Sequence, residues 1–528
     1  MNPTSPPKHF WRRRRTRLAI GGIAVVAGAA LSASLVLPAT AAPDRPRSSA
    51  TPVLANLFEW NWPSVAHECT TQLGPAGYAG VQVAPPQDST KRTALGNGSD
   101  TVLHPWWEVY QPTDYALTSR MGTESQFKTM VQTCRKAGVK VYVDAVINHM
   151  TGQGTTSYGG TTFTKYAYPG LYSATDFHSS PANCPVPPTK GTTDREGSIR
   201  DYNDYKQVTT CELSSLADLN TSTAKVRSRL AGYLNTLLSY GVSGFRVDAA
   251  KHIGQTDLAA IQSRLHRTVD GTRPYFALEV GAGSPGRISP AAFTGEGQVL
   301  GFDYASAVYN AFTSYDDGGT PRNDGNIGDL KVFGQASGLL PSADELVFVQ
   351  NHDTERNGSS LSYKDASNTI ATQFMLAYPY GTPEVYAGFT FGTDTNQSPP
   401  STSAGLITNT SCSSSAWNCL DRQQGVKGMV GFHNRVGQAP VRNWYDDGTN
   451  LIAFSRGNLG FFGANNETAA KRVTVRTGLP AGTYCDVIHG VKHGHSCSGP
   501  TVHVNGSGHA TITVGAHDSV AFTRSDRV

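Results

Sequence analysis

The 528-residue chain predicts an α/β protein: a (β/α)8 TIM barrel, an irregular domain inserted after the third strand, and a C-terminal antiparallel β-sandwich. Three observations carry this. Eight short apolar runs, β-branched or aromatic, recur between helical stretches. Residues 150–215 interrupt them without helical period and are rich in Gly, Thr, Tyr and Pro. From about Ala439 the pattern changes to short alternating strands alone. An open doubly wound sheet is the competing arrangement, but no Gly-rich phosphate loop follows the first strand.

The first 41 residues stand apart. Arg12 to Arg15 and Arg17 precede an apolar, Ala-rich run from Leu18 to Leu37, and Ala39-Thr40-Ala41 supplies a small-residue cleavage site. That order predicts an export signal, although the run also has the length of a membrane anchor. The segment holds Lys8 and five arginines and no acid, so its removal takes the net charge from +4 to −2. A nucleic-acid-binding surface is thereby excluded. A secreted, extracellular monomer without stable membrane association is expected. Eight cysteines, an even number, suit an oxidising compartment. No C-x-x-C occurs, which argues against thiolate zinc or redox chemistry. Cys412 with Cys419 and Cys485 with Cys497 are natural local pairs, but spacing alone fixes no connectivity.

After a Pro/Arg/Ser leader from Ala42 to Thr51, the predicted barrel strands are 55–58, 78–83, 139–147, 242–247, 275–278, 299–302, 346–349 and 384–387. Thr123-Glu124-Ser125-Gln126 is a capping box that opens a helix, and Gly138 stands where its C-terminal cap belongs. Another helix spans Ser222 to Tyr240 and stops at Gly241. The domains are then 42–149 and 216–438 for the two parts of the barrel, 150–215 for the insert, and 439–528 for the sandwich. In the sandwich, strands are expected at 451–454, 472–475, 483–488, 511–514 and 519–522. Residues 392–418, rich in Ser, Thr and Pro, read as a long exposed loop.

The chemistry sits at strand ends. In Val242 to Val247 the side-chain period of two puts Gly244, Arg246 and Asp248 on one face. Acids and arginines are rarely buried unpaired, so a structural ion pair is one reading of Arg246 and Asp248. In a closed barrel of this class, however, catalytic groups project from the C-terminal strand ends. The third strand ends in Asn148-His149, the fourth in Asp248, the fifth in Glu279 and the seventh in Asn351-His352-Asp353. Helix capping alone explains three such acids poorly.

Asp144 to His149, Gly244 to His252, Glu279-Val280 and Phe348 to Asp353 resemble, in order, four signature regions of the α-amylase family of glycoside hydrolases. The resemblance runs from about Leu54 to the C-terminus and includes Phe58 to Trp62, Gly80 to Pro86 and Pro105 to Pro112. It is nearest to the animal-type and actinobacterial secreted members. It implies Asp248 as nucleophile, Glu279 as acid/base and Asp353 as a third, transition-state-stabilising carboxylate. A retaining glycosidase needs one ionised and one protonated carboxyl about 5–5.5 Å apart. Arg246 should favour a charged Asp248. Glu279, after apolar Phe276-Ala277-Leu278 and lacking an adjacent cation, should have a raised pKa. Asp144 is expected to pair with Arg246.

The resemblance further implies substrate contacts from Trp106, Trp107, Tyr110, Gln111, His149, Tyr202, Arg246, Lys251, His252 and His352. It implies structural calcium held by the side chains of Asn148 and Asp218 and the main-chain oxygens of Thr209 and His252, hard donors that suit this ion. It pairs Cys69 with Cys134, Cys184 with Cys211, and the two local pairs as above. Animal-type members bind chloride with two arginines and an asparagine. Arg246 and Asn351 match, but the second arginine's position holds Glu384, so chloride is not expected. The thiol-free trio His489, His493 and His495 reads as a polar loop rather than a metal site. The expected function is secreted, calcium-dependent, endo-acting hydrolysis of internal α-1,4-glucosidic bonds of starch and related α-glucans, with retention. A transglycosylase, an exo-acting maltooligosaccharide former and a non-catalytic glucan-binding ectodomain are the alternatives.

Overall fold

A computed structural model describes residues 51–95, 101–190, 195, 197–313 and 326–528. The expected export signal and most of the Pro/Arg/Ser leader lie outside the described residues. Among those described, no helix is long and apolar enough to cross a membrane.

Eight parallel strands close in sequence order: β1 (Leu54–Leu57), β2 (Gly80–Val83), β3 (Lys140–Ala145), β4 (Gly244–Val247), β5 (Tyr275–Leu278), β6 (Gln298–Leu300), β7 (Glu345–Val347) and β8 (Thr382–Phe389). Pairing of Leu54 with Glu384 joins β8 to β1 and removes both sheet edges. A two-residue strand β9 (Trp417–Asn418) adds antiparallel to the end of β8. Val81, Val83, Val141, Val143, Phe245 and Val247 are essentially inaccessible to solvent. This is why the strands read as apolar runs rather than as alternations.

The helix Glu124–Lys136 opens with the expected capping box, Thr123 and Gln126 bonding each other's backbone, and Gly138 follows its end with φ +80°. The helix Ala224–Tyr240 is capped by the Thr223 side chain and ends on Gly241 at φ +106°, a conformation that only glycine takes without strain. Arg246 is thereby delivered to the barrel five residues later.

The described residues of 150–215 are largely irregular, with a short α-helix at Tyr205–Thr210 and a 3-10 turn at Ala174–Asp176. Cys184 and Cys211 are joined and share a small core with Val186, Ile199, Val208 and Ile288. The remaining disulfides are Cys69–Cys134, Cys412–Cys419 and Cys485–Cys497. The loop expected to be exposed at 392–418 is so only in part. Ile407 and Trp417 are buried, because Arg120 binds the Gly405 carbonyl at 2.8 Å and both indole N–H groups of Trp106 and Trp107 bond to Thr395 and Asn396.

The C-terminal strands are β10 (Val441–Asp446), β11 (Leu451–Arg456), β12 (Gly460–Asn465), β13 (Lys471–Arg476), β14 (Gly482–Cys485), β15 (Lys492–His493), β16 (Ser496–Cys497), β17 (Thr501–Val504), β18 (His509–Val514) and β19 (Asp518–Thr523). They form an antiparallel sheet β10-β11-β12-β19 and the pairs β13-β18, β14-β17 and β15-β16. Along β11, Leu451 and Ala453 face the sandwich core, while Ile452 and Phe454 join the core of the barrel. Phe461 against Phe462, and Phe522 against Ala521, divide likewise. Strands β11, β12 and β19 are thus buried on both faces, while the edge strand β10 is exposed or half-buried along its length.

Candidate active site

Strand register places the charged groups. Asp144 on β3 stands beside Arg246 on β4, which stands beside Ala277 on β5, one residue short of the strand's last position. Arg246 is buried and serves three acids. Its Nη1 donates to Asp144 Oδ1 at 2.7 Å and Asp248 Oδ1 at 2.8 Å, and its Nη2 lies 3.1 Å from Glu279 Oε2. Asp144 thus pairs with Arg246, and it also accepts from the Tyr110 hydroxyl at 2.8 Å.

Two expectations about charge need correction. Glu279 does not stand clear of cations: Arg246 reaches it, and the backbone N–H of Ala249 donates to its Oε2 at 2.7 Å. That N–H is aimed by Ala249 itself, a left-handed residue at φ +51° that breaks β4 into the next helical turn. Nor does Arg246 decide the state of Asp248. Burial pushes that carboxyl well above the usual range and Glu279 and Asp144 add to it, with Arg246 opposing. Burial and Glu279 also raise Asp353, to about 7. Asp144, Asp248 and Glu279 surround one buried guanidinium, and burial raises Asp144 as it raises Asp248 and Asp353.

Asp248, Glu279 and Asp353 line one cleft of about 390 Å3, together with Trp106, Tyr110, His149, Lys251, His252 and His352. The His352 ring is sandwiched between Phe58 at 4.5 Å and Tyr110 at 5.2 Å, with Trp106 edge-on at 5.5 Å, and its Nε2 lies 3.3 Å from Asp353. Burial holds His149 down to about 4, so the ring is neutral, with Nε2 3.0 Å from the Tyr110 carbonyl. Lys251 donates to Ser284 at 3.1 Å. Tyr202 is 45 % exposed beside the cleft, with Lys251 over its ring and His252 at its edge.

Four of the expected contacts lie off the lining: Tyr202 and Arg246, placed as above, and Trp107 and Gln111. Trp107 donates to Asn396 at 3.1 Å with Arg92 against its ring, and Gln111 accepts from the Gly152 N–H at 3.0 Å. The lining also holds residues that sequence reasoning did not single out: Leu213, Ser214, Leu216 and Gly281. Ser214 and its neighbour Ser215 both take positive φ without being glycine, so their residue types give no signal of the turn.

Asn148 and Asp218 adjoin: Asn148 Nδ2 is 3.1 Å from Asp218 Oδ1, across an antiparallel bridge at His149. His178 holds the other Asp218 oxygen at 2.6 Å. His252 Nδ1 contacts the Val208 carbonyl at 2.9 Å, next to Thr209. Side-chain and backbone oxygens are the donors a hard cation takes. Glu384 lies on β8, buried, taking one bond from Asn56 at 3.3 Å and leaving Oε1 without a partner.

Carboxylates converging on one guanidinium at the C-terminal rim of a closed (β/α)8 barrel define a barrel hydrolase of glycosidic bonds. Comparison with known proteins takes this further. Residues 84–273 match the α-amylase catalytic domain and 442–525 the α-amylase C-terminal all-beta domain. The chain is 42 % identical over 503 residues to the α-amylase of Streptomyces violaceus, covering 95 % of this chain and 78 % of that protein. It is 38 % identical over 493 residues to the pancreatic α-amylase of Sus scrofa, covering 87 % and 91 %. Among solved structures, the complex of a glutamate-to-glutamine mutant of α-amylase I from Eisenia fetida with maltohexaose matches with a TM-score of 0.81. It is 36 % identical and covers 89 % of this chain and 97 % of that one. The chain belongs to the α-amylase family and is a glycoside hydrolase.

Proposed function

We propose that this is a secreted, calcium-binding, chloride-independent α-amylase that cuts internal α-1,4 bonds of starch with retention. The observation that carries the reading is the sharing of Arg246 by Asp248 and Glu279 on the floor of the cleft. Asp248 attacks the anomeric carbon as the glycosidic C–O bond breaks, and Glu279 passes a proton to the leaving oxygen. Water, giving its proton back to Glu279, then displaces Asp248 from the same carbon, and two inversions restore the α configuration. Asp353, with His352 beside it, faces the positive charge that develops between these steps. Trp106 and Tyr110 offer apolar faces to sugar rings. Asn148, Asp218, Thr209 and His252 would hold the calcium, whose charge would pin the inserted domain to the barrel. The leader read as an export signal and the four disulfides support extracellular residence.

Glu279→Gln is expected to lower kcat on soluble starch by about 10²–10⁴-fold, the range for loss of a general acid–base. Proton NMR of early wild-type products should show the α anomer. A β anomer, or an active Glu279→Gln variant, contradicts the reading.

A further inference from the structure

The helical turn after Asp353, Thr354–Asn357, carries a cation that the mechanism leaves unused. Arg356, with its side chain 5 % exposed, lies against four rings: Trp106 at 4.9 Å, Phe58 at 5.3 Å, Phe389 at 5.0 Å and Phe391 at 4.6 Å. Its Nη1 donates to the His352 carbonyl at 2.6 Å and to Glu355 at 3.0 Å, while Nε and Nη2 have no hydrogen-bond partner. Behind it lies Glu59, fully buried at φ +55°, with neither carboxylate oxygen hydrogen-bonded. Burial pushes Glu59 up to about 8 against the pull of Arg120 and Arg356. Arg120 in turn holds the carbonyls of His104 and Pro105, at the start of the turn bearing Trp106.

A charge buried with so few bonds is costly, and an apolar side chain would fill a core among four rings more cheaply. What Arg supplies, and Met or Lys does not, is a flat cation for the rings together with a directed donor for the His352 carbonyl. We infer that Arg356 is a positioning residue for the reaction: it fixes Trp106 against the His352–Asp353 pair, with Glu59 and Arg120 bracing the opposite side. This rests on the reading that Asp353, His352 and Trp106 face the substrate. Arg356 also opposes the raised value of Asp353, alongside Arg246 and against Glu279 and Asp144, so its removal moves Asp353 further up.

The test is Arg356→Met and Arg356→Lys, measured for thermal unfolding and for kcat and KM against pH on soluble starch and a short maltooligosaccharide aryl glycoside. For Arg356→Met we expect a kcat loss of roughly ten- to hundredfold on both substrates, little change in KM, and an acid limb displaced to higher pH. Arg356→Lys keeps the charge without the fork, so it should restore the acid limb and still lose kcat at an unchanged Tm. A folded Arg356→Lys or Arg356→Met with wild-type kcat overturns the inference. If neither variant folds, the residue is structural and the inference also fails. A wild-type protein inactive on both substrates sinks the functional reading itself, and the positioning role with it.

Discussion

Glu384 shows how one residue sets two properties. Arg246 already serves three carboxyl groups, and the buried Glu384 carboxyl, rather than a second cation, lies close enough to act on that guanidinium. An added anion finds no free cation there. Activity should therefore stay flat as sodium chloride is replaced by sodium acetate at constant ionic strength, and several-fold activation by chloride would refute this. Burial also raises Glu384 from 4.5 to about 7. The folded protein then binds this proton more tightly than the unfolded chain does, so stability falls as pH rises from 4.5 to about 7. Glu384→Gln cannot titrate. It should unfold much like the wild type at pH 5 and gain about 3 kcal/mol at pH 8, at roughly 1.4 kcal/mol for each pH unit between 4.5 and about 7. Equal Tm differences at the two pH values would show that the proton is not the cause. The three acids and Glu384 were legible because they occupy strand ends or marked positions of a motif. The contact of Arg246 with Glu279 was not, since it joins neighbouring strands through side-chain reach that spacing does not encode.

Among the elements, all eight barrel strands were legible within a few residues, because burial on both faces writes a strand as an apolar run. The helix boundaries at Thr123 and Gly241 were legible for a different reason, the local chemistry of caps. Neither signal operates in 150–215. At its end Leu213 and, just past the boundary, Leu216 reach the cleft through a backbone that turns left-handed at Ser214 and Ser215, and no periodicity announces it. The insert is stapled internally by its disulfide, the barrel residues flanking its two ends are bridged at His149 and Asp218, and on our proposal calcium ties it to the barrel. Chelation with EDTA should then lower the Tm and restoring calcium should recover it, by about 2.7 kcal/mol at a calcium concentration one hundred times Kd. Asp218→Asn should abolish most of that recovery. A wild-type melting curve indifferent to EDTA would remove the ion from the account.

For the whole molecule, the sheet β10-β11-β12-β19 is the element that matters. The change to alternating strands after Ala439 predicted a sandwich, but alternation alone does not tell which outer face is wet. Ile452, Phe454, Phe462 and Ala521 turn toward the barrel, and Arg456 binds three backbone carbonyls, those of Ala377, Gly437 and Ala439, with no carboxylate. Barrel and sandwich therefore share apolar surface that neither can expose cheaply. Calorimetry should show one cooperative transition, and two resolved peaks would contradict a shared core. The same arrangement bears on protein engineering. Phe454 meets Phe374 and Tyr378 ring to ring across the junction, so a gene shortened ahead of residue 439 would present those aromatics to water. The resulting inclusion bodies would then be mistaken for proof that the tail takes part in catalysis.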